Sequence, residues 1–367
     1  MKRTIIYIAA LILACGIISL KAEQRHKQPV QKEDLNFNSL IQPVPLTAKF
    51  SQPDYYVWGG SMVKDNKGIY HLFYSRWKRE YGFEAWAVKS EIAHATAPTP
   101  FGPFTFRNVA LPRRGKEVWD GLCTHNPTIH KFGTNYYLYY MGNTGDDNNT
   151  KYLNYVHRNN QRIGVAVTKD LNGKWKRFNR PLIDVSSDST AADALVVTNP
   201  SITMRPDGSF LMVYKAVGKH KPLPFGGPVV HLTATSKSPT GPFVKQMKPI
   251  FTVENVNFPA EDPYVWCQDG KYYAVVKDNE GYFTKRGRSL ALFESNDGFT
   301  WNTSKYTLVT DLSILWESGQ REKIKALERP QIYFEKGKPA VLLVAAHQDE
   351  NGEIKSSYNI QIPLKKR

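Results

Sequence analysis

Cysteine is scarce in this chain of 367 residues, with three in all, Cys15, Cys123 and Cys267. No CxxC pair and no Cys/His cluster accompanies them, which argues against a zinc module or a disulfide-built scaffold. Cys123 and Cys267 fall in different repeat units, described below, and are expected to be free buried thiols. Acid is also in short supply. Against 49 Lys and Arg stand 33 Asp and Glu, a net charge of +16. No basic helix, zinc pattern or RNA-binding motif goes with that excess, so no nucleic-acid partner is expected. An anionic ligand remains, such as a sulfated or uronate-containing glycan. Long apolar runs are missing except for one, Ile5–Leu20, which follows Lys2 and Arg3 and precedes "LKAEQ". That order reads as a secretory signal over residues 1–22, cut after Ala22. The expected location is secreted or periplasmic, with no transmembrane domain after signal removal. The "ILAC" ending at Cys15 offers a lipoprotein anchor as the alternative. A polar tether is expected over 23–44 and a single folded domain over 45–367.

Long helical periodicity is absent beyond the signal. Aromatics make up 13% of the chain, with 20 Tyr and 8 Trp, a bias toward strands and toward stacking on sugar rings. Five segments share one pattern. They are "WGGSMVKDNKGIYHLFYSRW", "THNPTIHKFGTNYYLYYMGN", "TNPSITMRPDGSFLMVYKAV", "AEDPYVWCQDGKYYAVVKDN" and "LERPQIYFEKGKPAVLLVAA". Their anchors are Gly60, Pro127, Pro200, Pro263 and Pro330, spaced by 67, 73, 63 and 67 residues. Each opens a strand, a Gly- or Asp-containing turn and a second strand, and four are followed by a further hairpin. Four antiparallel strands repeated radially make an all-β fold, a five-bladed β-propeller. The blades fall near 55–115, 116–190, 191–255, 256–320 and 321–367. The last blade ends one strand short at "SYNIQIPL". A strand from the N-terminal segment near Leu46–Phe50 is expected to complete it and remove the open sheet edge.

In such a blade, the start of the first strand and the end of the second share one face. The mouths therefore bring Trp58-Gly59, His125-Asn126, Thr198-Asn199, Glu261-Asp262 and Glu328-Arg329 together on the axis, along with Arg76, Lys215 and Lys277 from second-strand ends. Only "AEDP" places two carboxylates side by side. Their neighbouring positions imply side chains on opposite sides of the strand.

Five blades with a carboxylate before a proline resemble glycoside hydrolase family 43 and its five-bladed relatives, including family 117. The resemblance runs from about Asp54 to the C-terminus. It implies an active site in the axial funnel and a catalytic acid opening blade four, which on this chain is Glu261. It also implies aspartates opening blades one and three, where this chain has Gly59 and Asn199. The implied activity is an exported, exo-acting glycosidase on a plant or algal polysaccharide or oligosaccharide. The open alternatives are a non-catalytic glycan-binding propeller and a glycoside phosphorylase.

Glycoside hydrolysis needs a second carboxylate besides the acid. The candidates are Asp120 and Asp193, which precede their anchors at similar offsets, then Asp54, with Asp262 as neighbour of the acid. Substrate contacts are expected from Trp58 and Trp119 as stacking platforms and from His125, Asn126, Asn199 and Gln331 by hydrogen bonds. Arg76, Lys215, Lys277 and Arg329 are expected to form a cationic pocket. No cofactor is required and no metal ligand set is assigned, although a structural divalent cation could sit in the axial channel. Oligomeric state is not readable from the sequence.

Overall fold

The computed structural model describes residues 34–365. The signal, the Cys15 alternative and the start of the tether lie outside these residues. Five four-stranded antiparallel sheets make the five blades of a propeller. The inner strands are Tyr55–Lys64, Cys123–Phe132, Val196–Met204, Ala260–Gln268 and Glu328–Glu335. Each pairs with the strand that follows it, so the hairpins read from the repeats are present. The fourth strand of blade five is Lys49–Phe50, antiparallel to Glu353–Pro363, with Lys49 opposite Ile360. Residues 34–44 are not a loose tether, because Phe37, Leu40 and Val44 are buried in the core between blades four and five. Cys123 and Cys267 are both free, Cys123 buried and Cys267 half-buried. Among the described residues no helix is long and apolar enough to cross a membrane.

The core is divided into seams, one between each pair of neighbouring blades. Strand alternation explains the division. Leu72 and Phe73 are adjacent and wholly buried, yet Leu72 joins the seam with blade five and Phe73 the seam with blade two. A strand buried on both faces reads as a continuous apolar run. This is why second strands such as "YYLYYM" show no polar alternation.

One residue beyond each anchor, a polar group ties its blade to the next. Ser61 Oγ accepts from Ile129 N, Thr128 Oγ1 donates to Pro200 O, and Ser201 Oγ accepts from Val265 N. Tyr264 Oη donates to Ile332 O, and Ser61 Oγ donates to Gln331 Oε1, which closes the belt. Gln331, expected at the sugar, belongs to this buried belt instead.

Candidate active site

All five inner strands bulge at the same place. The pairing register shifts just past Trp58, His125, Thr198, Glu261 and Glu328. The next residue in every blade is left-handed: Gly59 (φ 56°), Asn126 (52°), Asn199 (51°), Asp262 (53°) and Arg329 (52°). Four of the five are non-glycine, which is uncommon backbone and depends on its surroundings to persist. The surroundings are each other. Asn126 Nδ2 donates to Asn199 Oδ1 at 2.8 Å, and Asn199 Nδ2 donates to Asp262 Oδ1 at 2.6 Å. Arg329 Nη1 meets Asp262 Oδ1 at 3.3 Å and its Nη2 reaches Asn126 O at 3.4 Å. The result is a buried polar ring around the axis.

Gly59 is the fifth member. A Cβ there would lie 3.3 Å from Asn126 Oδ1 and 3.4 Å from the Arg329 side chain. Blade one leaves its place empty so that Arg329 can cross it. Asp262 and Arg329 are therefore a structural ion pair, Arg329 being only 1% exposed. Arg329, expected to bind substrate, is spent in this pair, while Asp262 also lines the pocket above the ring.

The residues one place earlier line a pocket of about 150 Å³ above the ring, with Trp58, His125, Glu261 and Glu328 among its walls. Because the backbone bulges, Glu261 and Asp262 do not point to opposite sides as strand alternation implies. One carboxylate oxygen each from Glu261, Asp262 and Glu328 lies within 4.8 Å of the others. Lys215 Nζ bonds Glu261 Oε1 at 2.5 Å, and Lys277 Nζ bridges Glu261 Oε2 at 3.2 Å and Glu328 Oε1 at 2.6 Å. These three carboxylates could hold a metal by proximity, but Lys277 and Arg329 already supply the cations between them.

The two glutamates differ in electrostatics. Burial pushes the Glu261 carboxyl up, but the ammonium groups of Lys215 and Lys277 outweigh it and hold the group well below its usual range. Burial raises Glu328 too. Lys277 opposes this, while the negative charges of Glu261 and Asp262 add to it, and the net direction is up. Environments that push two neighbouring carboxyls apart assign an acid and a base. Of the two, Glu328 holds its proton more readily and Glu261 is the more firmly ionised, whereas the acid role was expected for Glu261.

Several expected contacts lie elsewhere. Asp120 is buried with both oxygens engaged, bound by Arg114, Arg177 and Tyr140 Oη. Asp193 is buried against Lys245 at 2.6 Å, and Asp54 is exposed. None of the three lines the pocket. Trp119 stacks on Tyr140 at 5.9 Å and donates to Phe178 O, so it fills a seam and offers no platform to a sugar. Arg76 pairs with Glu91 and lies between the rings of Tyr55 and Phe106. With Lys215, Lys277 and Arg329 also paired to carboxylates, the four expected cations do not make a free cationic pocket.

Trp58, His125, Asn126, Asn199 and Lys215 do line the pocket. The His125 ring sits near Trp77 and Trp86, with Nδ1 2.7 Å from Ser90 Oγ. Burial, then the charges of Arg329 and Lys215, push its pKa well below the ordinary value, so the imidazole is neutral. The sequence reading missed Trp77, Phe83, Trp86 and Gln161, all pocket-lining. Phe83 and Trp86 ride on the connection after the second strand of blade one, which has no repeat counterpart to flag it. Glu328 was readable as the blade-five equivalent of Glu261, but its upward shift depends on burial and on the charges of Glu261 and Asp262 from the neighbouring blade.

No protein-family model matches the chain, and no curated protein matches its sequence. Its structure is similar to that of BT0996 in an RGII complex. The TM-score is 0.65 at 14% identity, over 90% of this protein and 94% of that one. Zg3597, a family 117 glycoside hydrolase of the marine bacterium Zobellia galactanivorans, matches with a TM-score of 0.59 at 14% identity, over 88% and 89%. A thermostable family-43 glycoside hydrolase matches with a TM-score of 0.57 at 14% identity, over 89% and 92%. The fold is thus that of the five-bladed propeller glycoside hydrolases, at identities that mark a divergent chain.

Proposed function

We propose that the chain is an exported glycosidase, exo-acting on a plant or algal glycan, with Glu328 as proton donor and Glu261 as the ionised partner. The observation that carries this reading is the Glu261–Glu328 pair: adjacent, oppositely shifted, and on the wall of an aromatic pocket at the axis. A funnel closed below by the polar ring suits a chain end better than a chain interior. Glu328 would protonate the glycosidic oxygen, and the leaving sugar would depart as an alcohol. The carboxylate oxygens lie within 4.8 Å. That is nearer the ~5–5.5 Å of retaining enzymes than the ~6.5–9.5 Å of inverting ones. Glu261 would then attack the anomeric carbon and form a glycosyl ester. Water would cleave this ester, giving its proton to Glu328.

The test is a panel of 4-nitrophenyl glycosides and plant and algal oligosaccharides, followed by E328Q and E261Q on whatever is cleaved. Each substitution is expected to lower kcat/KM about 10²–10⁴-fold. The first-formed anomer, read by NMR, is expected to keep the substrate's configuration. A specific observation also favours a second reading, a glycan binder: two lysines neutralise Glu261. Binding of an oligosaccharide from the panel with no turnover by the wild type would overturn the hydrolase and leave the binder.

A further inference from the structure

A second chamber of about 160 Å³ opens beside the first. The two share Trp86, Gln161, Lys215 and Glu261 in their walls. Apart from Arg158, the rest of the second chamber is largely apolar, with Leu153, Val217, Phe225 and Phe258 among its lining. Arg158 is 8% exposed, and three arginines are buried to this degree among the described residues. Arg76 has Glu91 and Arg329 has Asp262. Arg158 has no carboxylate partner among the described residues. Its Nη1 donates to Asn159 Oδ1 at 2.9 Å and to Phe225 O at 2.6 Å, and the Phe225 ring lies 4.8 Å from the guanidinium carbon. Nε and Nη2 make no hydrogen bond to the described residues.

A buried guanidinium held by neutral acceptors, in an apolar wall, is costly without an anion. The chamber contributes none except Glu261, whose two oxygens are engaged by Lys215 and Lys277. The missing anion must come from the ligand. Guanidinium geometry matches planar or tetrahedral oxyanions, which it can bind with two parallel N–H groups. The surrounding apolar walls suit the C–H faces of a sugar ring.

We propose that this side chamber is a subsite for an acidic sugar residue, whose carboxylate or sulfate ester is bound by Arg158. It rests on the carbohydrate part of the reading above and not on turnover. The positive excess of the chain then has a local meaning, in a residue that the motif pattern does not mark.

The test measures binding of D-galacturonate, its methyl ester, D-galactose and D-galactose 6-sulfate to the full chain by ligand-observed NMR at fixed ionic strength. One of the two acidic sugars is expected to bind at least about tenfold more tightly than galactose, the gain of a hydrogen bond to a charged group. Which of the two does so separates carboxylate from sulfate. The methyl ester, of similar shape but uncharged, is expected to bind as galactose does. R158Q is expected to erase the preference and R158K to keep part of it, with thermal melts confirming that both fold. Equal affinity for acidic and neutral sugars, a methyl ester as tight as the acid, or a preference that survives R158Q would overturn the proposal. The ester comparison needs no variant, so it holds even if R158Q does not fold. Absence of binding by all four sugars would instead count against the carbohydrate site itself.

Discussion

The two adjacent carboxylates at the mouth of blade four have separate jobs. Both line the pocket, but Asp262 is left-handed and tied into the ring by Asn199 and Arg329, while Glu261 is held by Lys215 and Lys277. Removing one partner of a buried ion pair leaves the other charge uncompensated. R329M is therefore expected to destabilise the fold by about 3–5 kcal/mol, read from urea unfolding. An unchanged midpoint would show that the ring does not hold the axis. The proposed chemistry makes a separate prediction at the two glutamates. Glu328 is raised, so in the proposed roles it would keep its proton above the ordinary carboxyl range, and activity is expected to fall as pH rises through its pKa. Glu261 is depressed, so it stays ionised well into acid. The pH–kcat/KM profile is expected to show an alkaline limb above the usual glutamate value and no acid limb near it. E328Q abolishes the alkaline limb if Glu328 is the donor. In the sequence, the mouths and the special status of Glu261 were legible from the repeat. The difference between the two glutamates was not, because it depends on Lys215 of blade three reaching Glu261 and on Glu328 of blade five lying beside the carboxylates of blade four, contacts that exist only once the blades meet.

At the scale of elements, strands were legible and connections were not. Strands carry a period and a turn at each end, and five copies of one pattern reinforce each other. The bulge behind every anchor was not readable, because a left-handed Asn or Asp looks like any turn residue until its register is known. The segments between second and third strands differ from blade to blade. They hold Phe83 and Trp86 in blade one, Arg158 in blade two and Phe225 in blade three, all lining one of the chambers. The closing strand was inferred from a deficit in blade five. It spans only Lys49–Phe50, but Phe50 packs against Tyr74 at 4.9 Å and Phe104 at 6.0 Å in the seam between blades five and one. F50A empties a buried aromatic site and is expected to cost about 3–5 kcal/mol. A chain begun at Gln52 exposes the edge of Glu353–Pro363 and is expected to self-associate, whereas one begun at Asp34 keeps the edge paired. Sedimentation of the two would show it, and equal monomer content would contradict the role of the strand.

For the molecule as a whole, the propeller hides histidines as neutral groups, and acid should find them. His94 is wholly buried, stacked on Phe73 at 4.7 Å, with Nε2 2.9 Å from His71 Nδ1. His231 is buried at blade three, near Phe251. Burial, then neighbouring positive groups, lowers each to about 3. Unfolded, each would titrate near its ordinary value of about 6.5. Between these two values the unfolded chain binds a proton that the folded chain refuses, so stability rises with pH across that window and is lost as pH falls through it. Above about 6.5 both states are neutral and the groups contribute no slope. Each histidine contributes up to about 1.4 kcal/mol per pH unit inside the window. The melting temperature is therefore expected to be flat from about pH 8 to 7 and to fall steadily from about pH 6 to 4. H231F removes one titrating group and a polar atom that has no partner, Nε2. It is expected to flatten that fall by its share while leaving the plateau above about pH 7 nearly unmoved. A slope identical to the wild type would mean that the buried imidazoles are not what acid attacks, and that the depressed carboxylates, Glu261 first among them, account for the loss.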